Sequence, residues 1–192
     1  MAIIAIVAVT MSMTNAQGQD DIAANVQKQG DMAVGVNMII WYRPSYNYRA
    51  IYKPASYPRL HVPSYTRTGI SAKFLYNPTY YIRLAGEFDY FWKREKDYMK
   101  WWDFSVYSHL LMPVSKKVLV YPSLGLGKLY EKIFYEDNET WMRRFTFIML
   151  GFGTDYELSS NLILNGEVRY KIYGDEEIKN PLNFAIGLAY KF

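Results

Sequence analysis

The stretch from Pro181 to Phe192, PLNFAIGLAYKF, decides the fold. Leu182, Phe184, Ile186, Leu188, Tyr190 and Phe192 recur at every second position, with Asn183, Ala185, Gly187, Ala189 and Lys191 between them. Side chains of an extended chain point alternately to two faces, so this is a strand with one large apolar face and one small or polar face. A helix would repeat every 3.6 residues and would scatter both sets.

Working back from that strand, the same period of two returns in seven further segments. Asn161 to Tyr173 sets Leu162, Leu164, Val168, Tyr170 and Ile172 against Asn165, Glu167, Arg169 and Lys171. Trp141 to Tyr156 is less regular, and Ile148, Leu150, Phe152 and Tyr156 form its apolar face. Lys117 to Tyr130, Met99 to Met112, Thr79 to Trp92, Tyr65 to Tyr76 and Met32 to Tyr42 complete the set. The connections alternate in length as well. Asn77-Pro78, Pro113 to Lys116 and Leu158 to Ser160 are short turns, while Arg43 to Ser64, Lys93 to Tyr98, Glu131 to Thr140 and Gly174 to Asn180 are longer polar links. Eight antiparallel strands with short turns at one end and long loops at the other make an all-β, up-and-down barrel.

Two barrels fit such a pattern: a soluble one with an apolar interior, as in lipocalins, and a transmembrane one with an apolar exterior. Aromatic position favours the membrane. The five Trp (Trp41, Trp92, Trp101, Trp102, Trp141) fall at strand ends beside the long loops, and Tyr76, Tyr80, Tyr81, Tyr156 and Tyr190 fall at the opposite ends. Amphipathic rings settle at the two headgroup levels of a bilayer, so Trp41, Trp92, Trp102, Trp141, Tyr76 and Tyr190 are read as aromatic girdles. Strands of about 9 to 11 residues cross the hydrocarbon when tilted, and these are long enough.

Composition agrees with a single filled domain. The chain has 192 residues, 51% apolar and 21% charged, which excludes a disordered chain. It contains no Cys, so disulfide frameworks, Cys-type zinc sites and an acylated N-terminal Cys are excluded. A net charge of +4 allows contact with anionic surfaces without singling out nucleic acid. Met1 to Ala16, MAIIAIVAVTMSMTNA, has no charged residue, an apolar centre and small or polar residues at its end. It reads as an export signal cut after Ala16, with residues 17–30 as a periplasmic lead-in and 31–192 as the barrel.

These features resemble the eight-stranded outer-membrane barrels of Gram-negative bacteria, of the OmpX and OmpA-barrel type. The terminal alternation ending Leu188, Tyr190 and Phe192 is similar to the assembly signal of that family, and GFGTDYELSSNLILNGEVRY, Gly151 to Tyr170, to its penultimate hairpin. The resemblance implies an integral protein of the outer membrane, delivered to the barrel-insertion machinery and surrounded by outer-membrane lipids and lipopolysaccharide. A monomer without cofactor, metal or nucleic-acid partner is expected.

With the apolar face outward, the lumen receives Arg67, Lys73, Arg83, Arg169 and Lys171 against Glu87, Asp89, Asp103, Asp155 and Glu167. The interior of an eight-stranded barrel is only just wide enough for its side chains, and ions in it need partners. An ion-pair network of Arg67, Arg83, Glu87, Asp103, Glu167 and Arg169 would plug it. The same residues with Gly35, Gly69, Gly125, Gly127 and Gly187 would line a narrow porin-like path if a gap ran through. The first long loop joins Arg43, Arg49, Lys53 and Arg59 to Tyr46, Tyr48, Tyr52 and Tyr57 with no acidic residue. That mixture suits lipopolysaccharide, glycans or host surface molecules, since Arg pairs with phosphate and rings stack on sugars. A structural or surface-interaction role is the first expectation, a narrow channel the second and lipid A acyl modification the third. For the third, His109, Ser105 and Asp103 share one strand face, but successive same-face residues stand about 7 Å apart. His61 lies in the first loop. No enzyme is expected.

Overall fold

The computed structural model describes residues 28–48, 60–62, 64–92, 99–134, 140–174 and 180–192. Its strands are β1 (Met32–Arg43), β2 (Tyr46–Tyr48), β3 (Leu60–Val62), β4 (Tyr65–Tyr76), β5 (Ile82–Phe91), β6 (Met99–Leu110), β7 (Met112–Ser115), β8 (Val118–Phe134), β9 (Thr140–Glu157), β10 (Leu162–Tyr173) and β11 (Leu182–Lys191). Hydrogen-bonded neighbours follow the order β6, β5, β4, β1, β11, β10, β9, β8, and β8 pairs back onto β6. The sheet is therefore a closed eight-stranded antiparallel barrel, with β7 continuing β6 beyond Leu111. The start of β1, the end of β11 and the short turns share one end of the barrel, and the long links leave from the other.

Alternation is strict. In every barrel strand the inward side chains carry odd numbers: β1 reads eBeBeBeBeBei, with Ala33, Ile39 and Trp41 buried and Val34, Val36 and Met38 exposed. The outer wall is a continuous apolar belt that includes Val36 at 55% exposure, Leu126 at 62% and Ile186 at 61%. So large a contiguous apolar surface is untenable in water and is the wall of a barrel that faces lipid.

Several boundaries differ from the sequence expectation. The first link carries the ribbon of β2 and β3, in which Asn47 stands opposite His61. Pro113 to Ser115 is strand, which narrows the expected turn to Lys116 and Lys117. Glu131 to Phe134 is also strand, so β8 and β9 stay paired up to Phe134 opposite Thr140. Thr79 to Tyr81 is turn, where the Thr79 hydroxyl accepts from the Ile82 amide at 3.0 Å. The export signal at residues 1–16 and most of the lead-in lie outside the described residues.

Inward glycines make room for the side chains of the residues paired with them on neighbouring strands. A Cβ on Gly125 would stand 2.2 Å from the Tyr107 Cβ and 2.5 Å from the Val106 carbonyl oxygen, whereas one on Gly86, on the outer wall, would meet nothing within 4 Å. Gly125→Val is expected to destabilise the barrel by roughly 1–3 kcal/mol, and Gly86→Val to leave it unchanged or firmer. Urea titration of each variant in lipid vesicles checks the contrast.

Candidate functional site

Odd-numbered polar residues of all eight barrel strands face the lumen, and those of β4, β5, β6, β8, β9 and β10 stack there in tiers. Nearest the short-turn end, Arg83 Nη1 lies 2.7 Å from Asp155 Oδ2, and its Nε donates to Asn77 Oδ1 at 3.2 Å. The Tyr121 hydroxyl joins this tier to the next, 3.0 Å from Asp155 Oδ1 and 2.9 Å from Glu167 Oε1. Beside it, a small cavity lined by Asp31, Leu75, Asn77, Arg83 and Lys191 has a volume of about 10 Å³, room for one water.

The central tier is built on Arg169. Its Nη1 is 2.8 Å from Glu87 Oε2, and its Nη2 and Nε are 2.5 and 2.6 Å from Glu167 Oε2. Lys73 pairs with Glu167, and the Ser71 and Tyr107 hydroxyls donate to Glu87. These groups are buried on all sides, so the geometry supplies what water cannot. One step outward, Lys171 Nζ bridges Asp103 at 2.7 Å and Asp89 at 3.2 Å, and lies 4.8 Å over the Phe147 ring.

Above Lys171 the lumen changes from ionic to aromatic. Trp41 meets Trp101 edge-on at 4.9 Å, with Phe91 at 6.5 Å and Tyr65 at 6.3 Å. The Arg67 guanidinium lies 4.0 Å from the Trp101 ring, and the Trp101 indole donates to Glu131 at 2.8 Å. Trp41, read from the sequence as a girdle residue, is 1% exposed and belongs to this layer. Its place near the strand end suggested an interface, but its odd number turns the ring inward. Arg67 likewise stacks in the aromatic layer rather than joining the central carboxylates.

On the outer wall, Trp92 and Tyr190 are exposed, and Tyr76 is half-buried. Trp102 stacks on Tyr130 with centroids 5.8 Å apart and planes 3° from parallel. Trp141 is 66% exposed but shares the inward parity, on the part of the β8–β9 hairpin that outruns β10. It is not on the lipid-facing side of the wall. Of the first-loop residues, Arg43 lies over the Tyr65 ring at 5.8 Å, and Tyr46 and Tyr48 lie in β2. Arg49, Tyr52, Lys53, Tyr57 and Arg59 lie outside the described residues.

His109 stacks on Tyr121 at 4.2 Å, and neither of its ring nitrogens nor Ser105 Oγ has a hydrogen-bond partner among the described residues. Asp103 meanwhile serves Lys171. The three residues therefore do not form a base and nucleophile pair. Tyr107 and Tyr121, not singled out from the sequence, have inward parity, and their hydroxyls reach carboxylates on other strands.

Residues 3–192 match a family model described as "Outer membrane protein beta-barrel domain". The chain belongs to that family. Solved structures with the same fold include neisserial surface protein A, with 12% identity, a TM-score of 0.63 and coverage of 85% of this chain and 98% of that one. OprG of Pseudomonas aeruginosa is 12% identical, with a TM-score of 0.61 and coverage of 88% and 98%. Ail, the attachment invasion locus protein of Yersinia pestis, solved with the heparin analogue sucrose octasulfate, is 16% identical, with a TM-score of 0.60 and coverage of 85% and 99%. Among curated protein sequences none matches this chain significantly.

In this outer-membrane barrel, removing one member of an ion tier leaves opposite charges buried without compensation. Lys171→Met is expected to destabilise by roughly 3–5 kcal/mol, and adding Asp89→Asn and Asp103→Asn to recover part of the loss. Equilibrium unfolding in vesicles measures both steps.

Proposed function

We propose that this protein is a closed outer-membrane scaffold whose work is done by its extracellular loops, in structural support and in binding anionic sugars at the cell surface. The observation that carries this reading is the double fill of the lumen, ionic in the centre and aromatic at the long-loop end. A filled lumen leaves the outer surfaces to meet partners. The first loop has the fitting chemistry: Arg43, Arg49, Lys53 and Arg59 supply cations for phosphate or sulfate, and Tyr46, Tyr48, Tyr52 and Tyr57 supply stacking faces. The ribbon of β2 and β3 gives part of that loop a defined backbone. Ail, of the same fold, is known with a polysulfated sugar bound, which supports lipopolysaccharide, sulfated glycans or host surface sugars as ligand classes.

In the same reading the chain reaches its membrane by a signal cut after Ala16, and Leu188, Tyr190 and Phe192 present the terminal strand to the insertion machinery of a Gram-negative cell. It works there as a monomer among outer-membrane lipids, without catalysis. The loop assignment is tested by replacing Arg43, Arg49, Lys53 and Arg59 together with Ser in the refolded full chain. Binding to a heparin-coated surface is expected to fall at least tenfold and to lose most of its salt dependence. Unchanged binding would move the partner surface elsewhere.

A further inference from the structure

The outward faces of the barrel strands carry four charged residues among those described, and all four are cations: Lys100, Lys128, Lys132 and Arg144. They sit on three adjacent strands, β6, β8 and β9, towards the long-loop end. Pairing sets them in three rows. Phe104, Lys128 and Thr146 form the first, Trp102, Tyr130 and Arg144 the second, and Lys100, Lys132 and Met142 the third. At comparable places on the other strands the wall shows Tyr42, Thr68, Trp92 and Tyr170, all uncharged.

Depth follows from β8. Its outward residues from Val118 to Leu126 are apolar, and at about 3.3 Å per residue and a tilt near 40° they span roughly 20 Å, rising to about 25 Å at Lys128, the height of the apolar band of such barrels. Lys128 is the next outward residue, so it lies where hydrocarbon gives way to headgroups. Lys128 and Arg144 are diagonal neighbours on adjacent strands, and the Thr146 hydroxyl stands directly across from Lys128. Two cations and a hydroxyl thus converge at headgroup depth, beside the stacked rings of Trp102 and Tyr130. Lys100 and Lys132, directly opposite each other one row out, add to the positive field.

We propose that Lys128, Arg144 and Thr146 form a site for the phosphate group of a lipid in the outer leaflet. Arg144 and Lys128 hold the phosphate oxygens by charge-assisted hydrogen bonds, and the Trp102–Tyr130 stack packs against the rest of the headgroup. The adjoining apolar wall of Val106, Leu126 and Ile148 receives the acyl chains. This site uses no residue of the first loop and stands independently of the loop reading.

The test refolds the full chain in phosphatidylcholine vesicles doped with phosphatidic acid, confirms the barrel by heat-dependent gel mobility, and measures lipid retained in native mass spectrometry. Wild type is expected to retain phosphatidic acid in preference to phosphatidylcholine. Lys128→Ser with Arg144→Ser is expected to cut that preference about tenfold or more, and Lys128→Arg with Arg144→Lys to keep most of it. Replacing Arg43, Arg49, Lys53 and Arg59 is expected to leave it intact, which separates this site from the loop. No preference in wild type, or an equal preference in the double Ser variant, would overturn the proposal. So would displacement of the lipid by inorganic phosphate at matched concentration, because the site would then recognise a free anion.

Discussion

The guanidinium of Arg169, held between Glu87 and Glu167, is the interaction on which the rest of the barrel depends. It draws together β5 and β10, which are not neighbours in the sheet, across an interior with no space for hydration shells. Once Arg169 is fixed, Glu167 can take Lys73 and the Tyr121 hydroxyl, and Tyr121 passes the connection to Asp155 and Arg83. Glu87 in turn orders Ser71 and Tyr107. A buried ion network is stable when each member has several partners, and this arrangement gives each central carboxylate at least three. Tyr107 reaches Glu87 beside a paired position, Gly125, that carries no side chain to crowd it.

Above the ions, Lys171 marks a change of packing principle. Its ammonium is shared by Asp89 and Asp103 below an aromatic layer of Trp41, Phe91, Trp101 and Phe147. Arg67 enters that layer by stacking on Trp101, which suits a planar and weakly hydrated cation. The lumen is thus filled twice over by different means. Outside, the wall is uniform except for one cationic sector, so the molecule has a polar inside, an apolar belt and a marked side.

Much of this was legible in the sequence because a period of two is sensitive to faces. The alternation from Leu182 to Phe192 alone fixes which side chains share a wall, and eight such segments with alternating loop lengths leave one simple topology. Trp41 shows where legibility ended. Its position along the strand and its parity pointed to different places, and parity decided. The ends of β8 and β9 were hidden because Glu131 to Phe134 has the polar composition of a loop while pairing as strand. Ion partners were hidden for another reason: Lys171 and Asp103 are 68 residues apart, and their meeting depends on how the closed sheet staggers its strands. Most of the first long loop, which joins basic and aromatic residues without an acidic one, lies outside the described residues.

The central claim is that the lumen is closed by these tiers. Its most direct test is planar-bilayer conductance of the refolded protein, after gel mobility has shown that the barrel has formed. The wild type is expected to leave the bilayer silent. Reproducible conductance steps whose ion selectivity changes when Glu87 or Arg169 is replaced would contradict it, because ions would then be passing the residues that are held to seal the barrel.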